Sequence, residues 1–166
     1  MICILEDVKI VGTARSSIHS STAIFWIHEN VVADISSLSM TTSADDNSPN
    51  VVIAEGIASF SKCRFSAEDG YCVLVHGMLN AFNDCEFESR GPGVFHFKIP
   101  KERFDESVVI NGCDLRYVYN GFEWAFFEDQ EFEKENGEKK FVAQVERDNS
   151  VTEFEDGSED GYEDCG

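Results

Sequence analysis

The sequence is poor in positive charge. Its 166 residues include 13 Lys and Arg against 32 Asp and Glu, which gives a formal net charge of −19 at pH 7. Residues 123–166 alone hold 16 acids and 4 bases. Such a negative field repels phosphate backbones and anionic headgroups. We therefore expect neither a nucleic acid nor a membrane as a partner, and a basic protein or peptide fits the charge better.

Long apolar runs and targeting patterns are also missing. No run approaches the roughly 20 apolar residues that span a bilayer. The opening MICILEDVKI has no basic segment, and Glu6 and Asp7 interrupt its apolar residues, so it does not resemble a secretion signal. The chain has no Asn-x-Ser/Thr sequon. We expect an intracellular, cytoplasmic protein with one compact domain, which is either complete or a piece of a longer polypeptide.

A six-residue phrase recurs along the chain. FSKCRF at residues 60–65 is followed by FNDCEF at 82–87, with cysteine in the same place. Weaker matches are LEDVKI (5–10), ISSLSM (35–40) and INGCDL (110–115). Each phrase is apolar at its first, fourth and sixth places. The step from four to six has the alternation of a strand, and the small or polar pair between one and four indicates a bend.

A second strand precedes each later phrase. Residues 22–28, 50–55, 71–77 and 93–98 are β-branched or aromatic and are bounded by turn residues, and residues 120–127 begin another such run. Repeats of 22 to 30 residues are typical of stacked solenoids, in which each unit covers the apolar face of its neighbour. The pattern predicts an all-β fold, a single-stranded right-handed parallel β-helix of about five to six coils.

The predicted stacking places equivalent residues in ladders. One inward ladder would contain Val8, Leu38, Cys63, Cys85 and Cys113. The neighbouring ladder would contain Ile10, Met40, Phe65, Phe87 and Leu115. Because cysteine shares its place with Val and Leu, we expect buried, reduced thiols rather than disulfides.

The composition divides the chain into three segments. Residues 1–127 form the predicted β-helix. Residues 128–147 surround Asn136-Gly137, a strong hairpin signal, and are expected to form a charged hairpin that covers one end of the stack. Residues 148–166 are expected to form an acidic, disordered tail.

Over residues 3–127 the chain resembles the pectin-lyase-like superfamily. The resemblance rests on the pattern A-x-F-x-x-C-x-F at Ala58–Phe65, which returns at Ala81–Phe87 with one residue fewer. It implies the β-helix architecture, which serves both polysaccharide-degrading enzymes and noncatalytic adaptors. The pattern is specific for the fold and not for a function.

The enzyme hypothesis depends on two carboxylates. Glu86 and Asp114 share the fifth place of the phrase and are close enough, on adjacent coils, to resemble a glycosidase pair. They are weak candidates, because the same ladder contains Lys9, Ser39 and Arg64 and is typical of solvated charge pairing. The histidines and cysteines lack the close spacing of a zinc site, so we expect neither a metal nor another cofactor.

The stronger hypothesis is a binding surface. Alternation assigns one apolar set to the outer face of the long strands: Ile24, Trp26, Val51, Ile53, Cys72, Leu74, Val94 and His96. We expect either a cover from the Thr41–Pro49 loop or another segment, or an exposed stripe that binds a protein or peptide. Trp26, Ile53, Leu74 and His96 would form its centre.

Two alternatives to this noncatalytic scaffold stay open. In the first, the protein binds or cleaves a carbohydrate, with Glu86 and Asp114 beside four aromatic side chains that stack on sugars: Trp26, Trp124, Tyr117 and Tyr119. In the second, the chain is a structural piece of a longer solenoid.

Overall fold

The computed structural model describes most of the chain. The described residues are 1–13, 15–43, 50–77, 79–98, 108–119, 122–124 and 143–154. Within them the strands are, in chain order, β1 (Ile2–Ile4), β2 (Val8–Val11), β3 (Ser17–Ser20), β4 (Phe25–Ile27), β5 (Val32–Ser36), β6 (Ser39–Thr42), β7 (Val52–Ala54), β8 (Ile57–Ser61), β9 (Arg64–Ala67), β10 (Val73–Val75), β11 (Asn80–Asn83), β12 (Glu86–Ser89), β13 (Phe95–Phe97), β14 (Val108–Asn111), β15 (Asp114–Tyr117), β16 (Phe122–Trp124) and β17 (Ser150–Glu153).

These strands form three parallel sheets. Sheet 1 has the order β1-β4-β7-β10-β13-β16, sheet 2 the order β2-β5-β8-β11-β14, and sheet 3 the order β3-β6-β9-β12-β15-β17. Consecutive strands therefore belong to different sheets, and the chain returns to each sheet once per repeat. The neighbouring strands pair in parallel. The prediction of an all-β parallel solenoid is confirmed.

The repeated phrase encodes the corner between sheets 2 and 3. Its third place has a left-handed backbone, with φ of 56° at Ser37, 53° at Lys62 and at Asp84, and 65° at Gly112. The backbone N–H at this place donates to a carbonyl of the next repeat, as from Lys62 to Asn83 at 3.0 Å. Left-handed backbone costs L-residues about 1–2 kcal/mol, although small polar residues and glycine tolerate it best. The bend predicted between places one and four is confirmed.

The phrases stack in register. At the first place Phe60 pairs with Phe82, and at the sixth place Phe65 pairs with Phe87. Their rings stack almost parallel, with centroids 5.3 Å and 4.7 Å apart. Ile35, Met40, Ile110 and Leu115 continue the same two ladders. Aromatic stacking along the solenoid axis therefore forms the centre of the core.

The match assigned to residues 5–10 was wrong. Ile10 pairs with Ile35 at the first place of the phrase, and Ile18 pairs with Met40 at the sixth. Val8 pairs with Ala33 in sheet 2, so it does not continue the cysteine ladder. The first repeat has a longer corner between its two strands, and this insertion moves the pattern out of the regular spacing.

The cysteine ladder has a structural role in this corner. Cys63, Cys85 and Cys113 are buried. All cysteines among the described residues are free, and of these only Cys3 is exposed. The Cys85 thiol lies 3.5 Å from the Phe60 carbonyl and 3.4 Å from the Asn83 carbonyl, so its single S–H can donate to either one. The fourth place thus takes a buried apolar residue, either Leu38 or cysteine, and cysteine adds a weak donor. The prediction of unpaired thiols is confirmed for these residues.

The end of the described chain closes sheet 3. Residues 143–148 are helical, and Val145 contributes to the core. β17 pairs with β15, so the segment expected to be a tail from residue 148 begins with residues that belong to the sheet. Residues 155–166 and the predicted hairpin at Asn136-Gly137 lie outside the described residues.

Asn149 caps the cysteine ladder. Its Oδ1 accepts from the Cys113 backbone N–H at 2.8 Å. Its Nδ2 donates to the carbonyls of Ile110 and Val145, both at 2.9 Å. One amide side chain therefore satisfies three backbone groups at the corner where the regular repeat stops.

Phe82 gives the most direct test of the core. It is fully buried and contacts the rings of Phe60, Phe65, Phe87 and Phe95. Replacement of Phe82 by alanine leaves a cavity, and we expect the free energy of unfolding in urea to fall by about 3–5 kcal/mol.

The matched control is Val109→Ala, on the outer face of β14, where the side chain is 52% exposed. Its effect is expected to stay within about 0.5 kcal/mol. Equal effects of the two substitutions would contradict the assignment of Phe82 to the core.

Candidate functional site

Four side chains line up across the outer face of sheet 1. Trp26 pairs with Ile53, Ile53 with Leu74, and Leu74 with His96. We name Trp26, Ile53, Leu74 and His96 the outer row. Because neighbouring strands lie about 4.8 Å apart, the row is about 14 Å long. The register brings together all four residues that the sequence suggested as the centre of a binding stripe.

The row differs from its inward neighbours in exposure. The inward residues of the same strands are at most 1% exposed: Phe25, Ile27, Val52, Ala54, Val73, Val75, Phe95 and Phe97. The four residues of the outer row are half-buried. Strand alternation therefore assigns the correct face to the three residues of each of these strands.

The wider outer face predicted from alternation was wrong at four positions. Ile24, Val51, Cys72 and Val94 are at most 2% exposed. Each lies at the bend before its strand, where the side chains no longer alternate between the two faces. They line the corner of the core, so the apolar stripe is one residue wide.

Polar ring atoms accompany the apolar row. The Nε1 atom of Trp26 is buried and has no hydrogen-bond partner among the described residues. Its ring lies 6.0 Å from the ring of His28, and the ring of Tyr71 lies 4.8 Å from that of His96. Aromatic groups therefore flank both ends of the outer row.

Of the covering loop expected at Thr41–Pro49, residues 44–49 lie outside the described part of the chain.

A charged row follows the outer row along the strands. Backbone hydrogen bonds align His28, Glu55, His76 and Lys98 on successive repeats. The Nδ1 atom of His76 lies 3.9 Å from Oε1 of Glu55. Its Nε2 atom is buried and unpartnered within the described residues. Burial lowers the pKa of His76, the Lys98 charge lowers it further, Glu55 opposes the shift, and His96 adds to it.

The weak catalytic candidates lie on a different sheet. Glu86 pairs with Asp114 in register on sheet 3. The Glu86 carboxylate lies 3.9 Å from Nε of Arg64, and the Asp114 carboxylate lies 3.3 Å from Nε of Arg116. The mixed-charge stripe predicted for this face is present, except that Lys9 belongs to sheet 2.

The corner between sheets 2 and 3 contains an open cleft of about 600 Å³. Its wall includes Glu86 and also Asp84, but not Asp114. The other lining residues are Gly12, Thr13, Ser16, Ser37, Leu38, Ser39, Lys62, Cys63 and Arg64. Neither Lys62 nor Asp84 was assigned to this corner from the sequence. Their shared third place in the phrase is the signal that would have placed both at this corner.

The aromatic residues proposed to stack on sugars are divided between sheets. Trp26 and Trp124 belong to strands of sheet 1, whereas Tyr117 ends a strand of sheet 3. Tyr119, two residues further, is 58% exposed. Trp26 therefore does not lie beside Glu86.

A second apolar row was missed in the sequence. Val32 pairs with Ile57 in sheet 2, and Leu79 precedes Asn80 at the matching place of the next strand. All three side chains are exposed. Each residue directly precedes an inward residue of sheet 2. This shared position in the repeat is the sequence pattern that would have predicted the row.

The described residues contain no group of three or more His, Cys, Asp and Glu side chains arranged to hold a metal ion. In the same part of the chain, no helix combines the length and apolar character needed to cross a membrane.

The pKa shift of His76 predicts a pH dependence. Because folding lowers this pKa below the ordinary value of 6.5, the unfolded state binds the proton more tightly. The wild type should therefore lose stability relative to His76→Gln as the pH falls from about 7 to about 5. Urea unfolding of both proteins across this range measures the difference, in which the contributions of carboxylates cancel. A difference that does not change with pH would contradict the geometry.

Comparisons with family models, with curated proteins and with solved structures find no match.

Proposed function

We propose that the protein is a noncatalytic scaffold that binds a protein or peptide partner along the outer row. The observation that supports this function is the register that places Trp26, Ile53, Leu74 and His96 side by side. A half-buried strip with tryptophan at one end has the composition that dominates binding energy at protein interfaces. A row of side chains across the face of a sheet suits an extended segment.

The chemistry of the row specifies the partner further. An apolar side chain of the partner would cover Ile53 and Leu74, and the half-buried ring of Trp26 would extend this apolar contact. The charged row beside it contains one acid, Glu55, and one base, Lys98. The net charge of −19 over the whole chain favours a basic partner, whose association would weaken as salt is added.

We also propose a more specific fold for this scaffold. We infer a right-handed β-helix of five to six coils, similar to the noncatalytic branch of the pectin-lyase-like superfamily. Right-handed crossovers are the rule for parallel strands, and strands of the three sheets follow one another in a fixed order from β1 to β16. The free thiols support an intracellular setting.

Leu74→Glu tests the proposed surface. Peptides selected from a random displayed library against the wild type would be measured by fluorescence polarisation. We expect Leu74→Glu to raise the Kd at least about tenfold, because it buries a carboxylate in the contact. The selected peptides are expected to be basic.

The matched control is Val109→Glu, which introduces the same charge on the outer face of sheet 2. It should bind as the wild type does, and circular dichroism would establish that all three proteins fold. Selection of no peptide, or equal binding by Leu74→Glu, would contradict the proposed function and leave a structural role for the solenoid.

The cleft favours a second candidate, a carbohydrate ligand. Hydroxyl groups of Thr13, Ser37 and Ser39 share its wall with Arg64 and Glu86. Sugars are recognised by such mixed donors and acceptors around a concave surface.

Glu86→Gln and Asp114→Asn separate this candidate from simple surface charge. If the cleft binds or cleaves a sugar, Glu86→Gln should reduce glycan-array binding or hydrolysis at least about tenfold, while Asp114→Asn, outside the cleft, should not. The carbohydrate hypothesis fails if the wild type neither binds nor cleaves any glycan on the array.

A further inference from the structure

Two hydroxyl side chains lie on the outer face of β17. They belong to Ser150 and Thr152, and both side chains are exposed. Val151 between them is half-buried and packs against the core. Backbone hydrogen bonds hold the strand to β15, such as the one from the Ser150 N–H to the Cys113 carbonyl at 2.9 Å. Both hydroxyls are therefore held in position and open to solvent.

The sequence that follows these hydroxyls is acidic. The chain reads SVTEFED over residues 150–156, so acids follow Thr152 at the first, third and fourth places. Residues 153–166 contain 7 acids and no Lys or Arg. The basic substrate groove of an acidophilic protein kinase recognises a hydroxyl by such acids, through charge complementarity. The pattern alone also fits Ser150, which has an acid at the third place.

The register of the strands distinguishes the two hydroxyls. Ser150 pairs with Asp114, whereas Thr152 pairs with Arg116. Side chains at paired positions on one face of a sheet lie about 5 Å apart. A phosphate carries a charge of about −2 and strong acceptor oxygens. On Ser150 it would face a carboxylate of the same sign, and on Thr152 it would face a guanidinium that binds it through forked hydrogen bonds.

Arg116 is accessible to such a phosphate. Its side chain is 59% exposed, and its Nε atom lies 3.3 Å from a carboxylate oxygen of Asp114. The other N–H groups of the guanidinium can donate elsewhere. Glu88, the register neighbour of Arg116 on β12, lies 3.8 Å from a nitrogen of Arg64 and 3.7 Å from one of Arg90. Glu88 thus has two other cationic partners, so a doubly charged phosphate on the far side would be the strongest anion beside Arg116.

We propose that Thr152 is a phosphorylation site for an acidophilic protein kinase, and that its phosphate binds Arg116 and fastens β17 to β15. In this reaction the Thr152 Oγ attacks the γ-phosphorus of ATP and forms a new O–P bond. The bond from that phosphorus to the β,γ-bridging oxygen breaks, ADP leaves, and the hydroxyl proton passes to the catalytic carboxylate of the kinase. The site lies on sheet 3, so it does not depend on the binding function proposed for the outer row.

Peptide mapping by mass spectrometry tests the site. The wild type would be incubated with ATP and a purified acidophilic Ser/Thr kinase. We expect phosphate at Thr152 and at least about tenfold less at Ser150, where Asp114 repels the incoming phosphoryl group. Ser150→Ala is the matched control and should accept the same phosphate, whereas Thr152→Ala should lose it. A wild type without phosphate at Thr152, including one modified only at Ser150 or at Ser158, would overturn the proposal.

Amide hydrogen exchange tests the contact with Arg116. The Phe154 N–H donates to the Tyr117 carbonyl at 2.9 Å, so its exchange measures how firmly β17 is held. Phosphorylation should slow this exchange at least about threefold in the wild type and not in Arg116→Gln. Arg64→Gln is the matched control and should keep the slowing, because Arg64 is 57% exposed on the same sheet but does not pair with β17. Exchange that phosphorylation does not slow, or slows equally in Arg116→Gln, would overturn the proposed contact.

Discussion

The structure depends on one backbone constraint, the left-handed residue at the third place of the repeated phrase. This residue turns the chain from sheet 2 to sheet 3 and directs its N–H to the next repeat. The turn returns the first and sixth places to the interior, where Phe60 and Phe65 meet Phe82 and Phe87. A phrase that alternated strictly would continue as one strand and would not close around a core.

The register of the parallel strands determines which side chains form rows on the surface of the molecule. A parallel stack repeats each place at the strand spacing, so any property of a place becomes a row on the molecule. The fourth place gives a row of buried thiols. The middle place of sheet 1 gives Trp26, Ile53, Leu74 and His96, an outward row with partly covered apolar groups. A register shift by one residue would move the inward residues of sheet 1 to the outer face and the outer row into the core. The strictly apolar character of the inward residues of sheet 1 therefore fixes the register.

Much of this architecture follows from the sequence, because periodicity is a local property. The phrases from Ile35 onward predicted the stacking and the cysteine ladder, and alternation in the long strands predicted the outer row. The first repeat was assigned wrongly, since an insertion near Gly12 changes the spacing there. Ile24 was assigned to the outer face because alternation does not indicate where a strand ends and a corner begins. The cap by Asn149 joins residues almost forty positions apart and has no counterpart in the repeat.

The most direct test of the account is a methyl NOE between Ile53 and Leu74, measured together with broadening by a soluble paramagnetic probe. The register predicts a strong NOE across the neighbouring strands, and broadening at the Leu74 methyls but not at those of Val73 and Val75. Absence of the NOE, or a Leu74 as protected as Val73, would contradict the stacked register and with it the outer row.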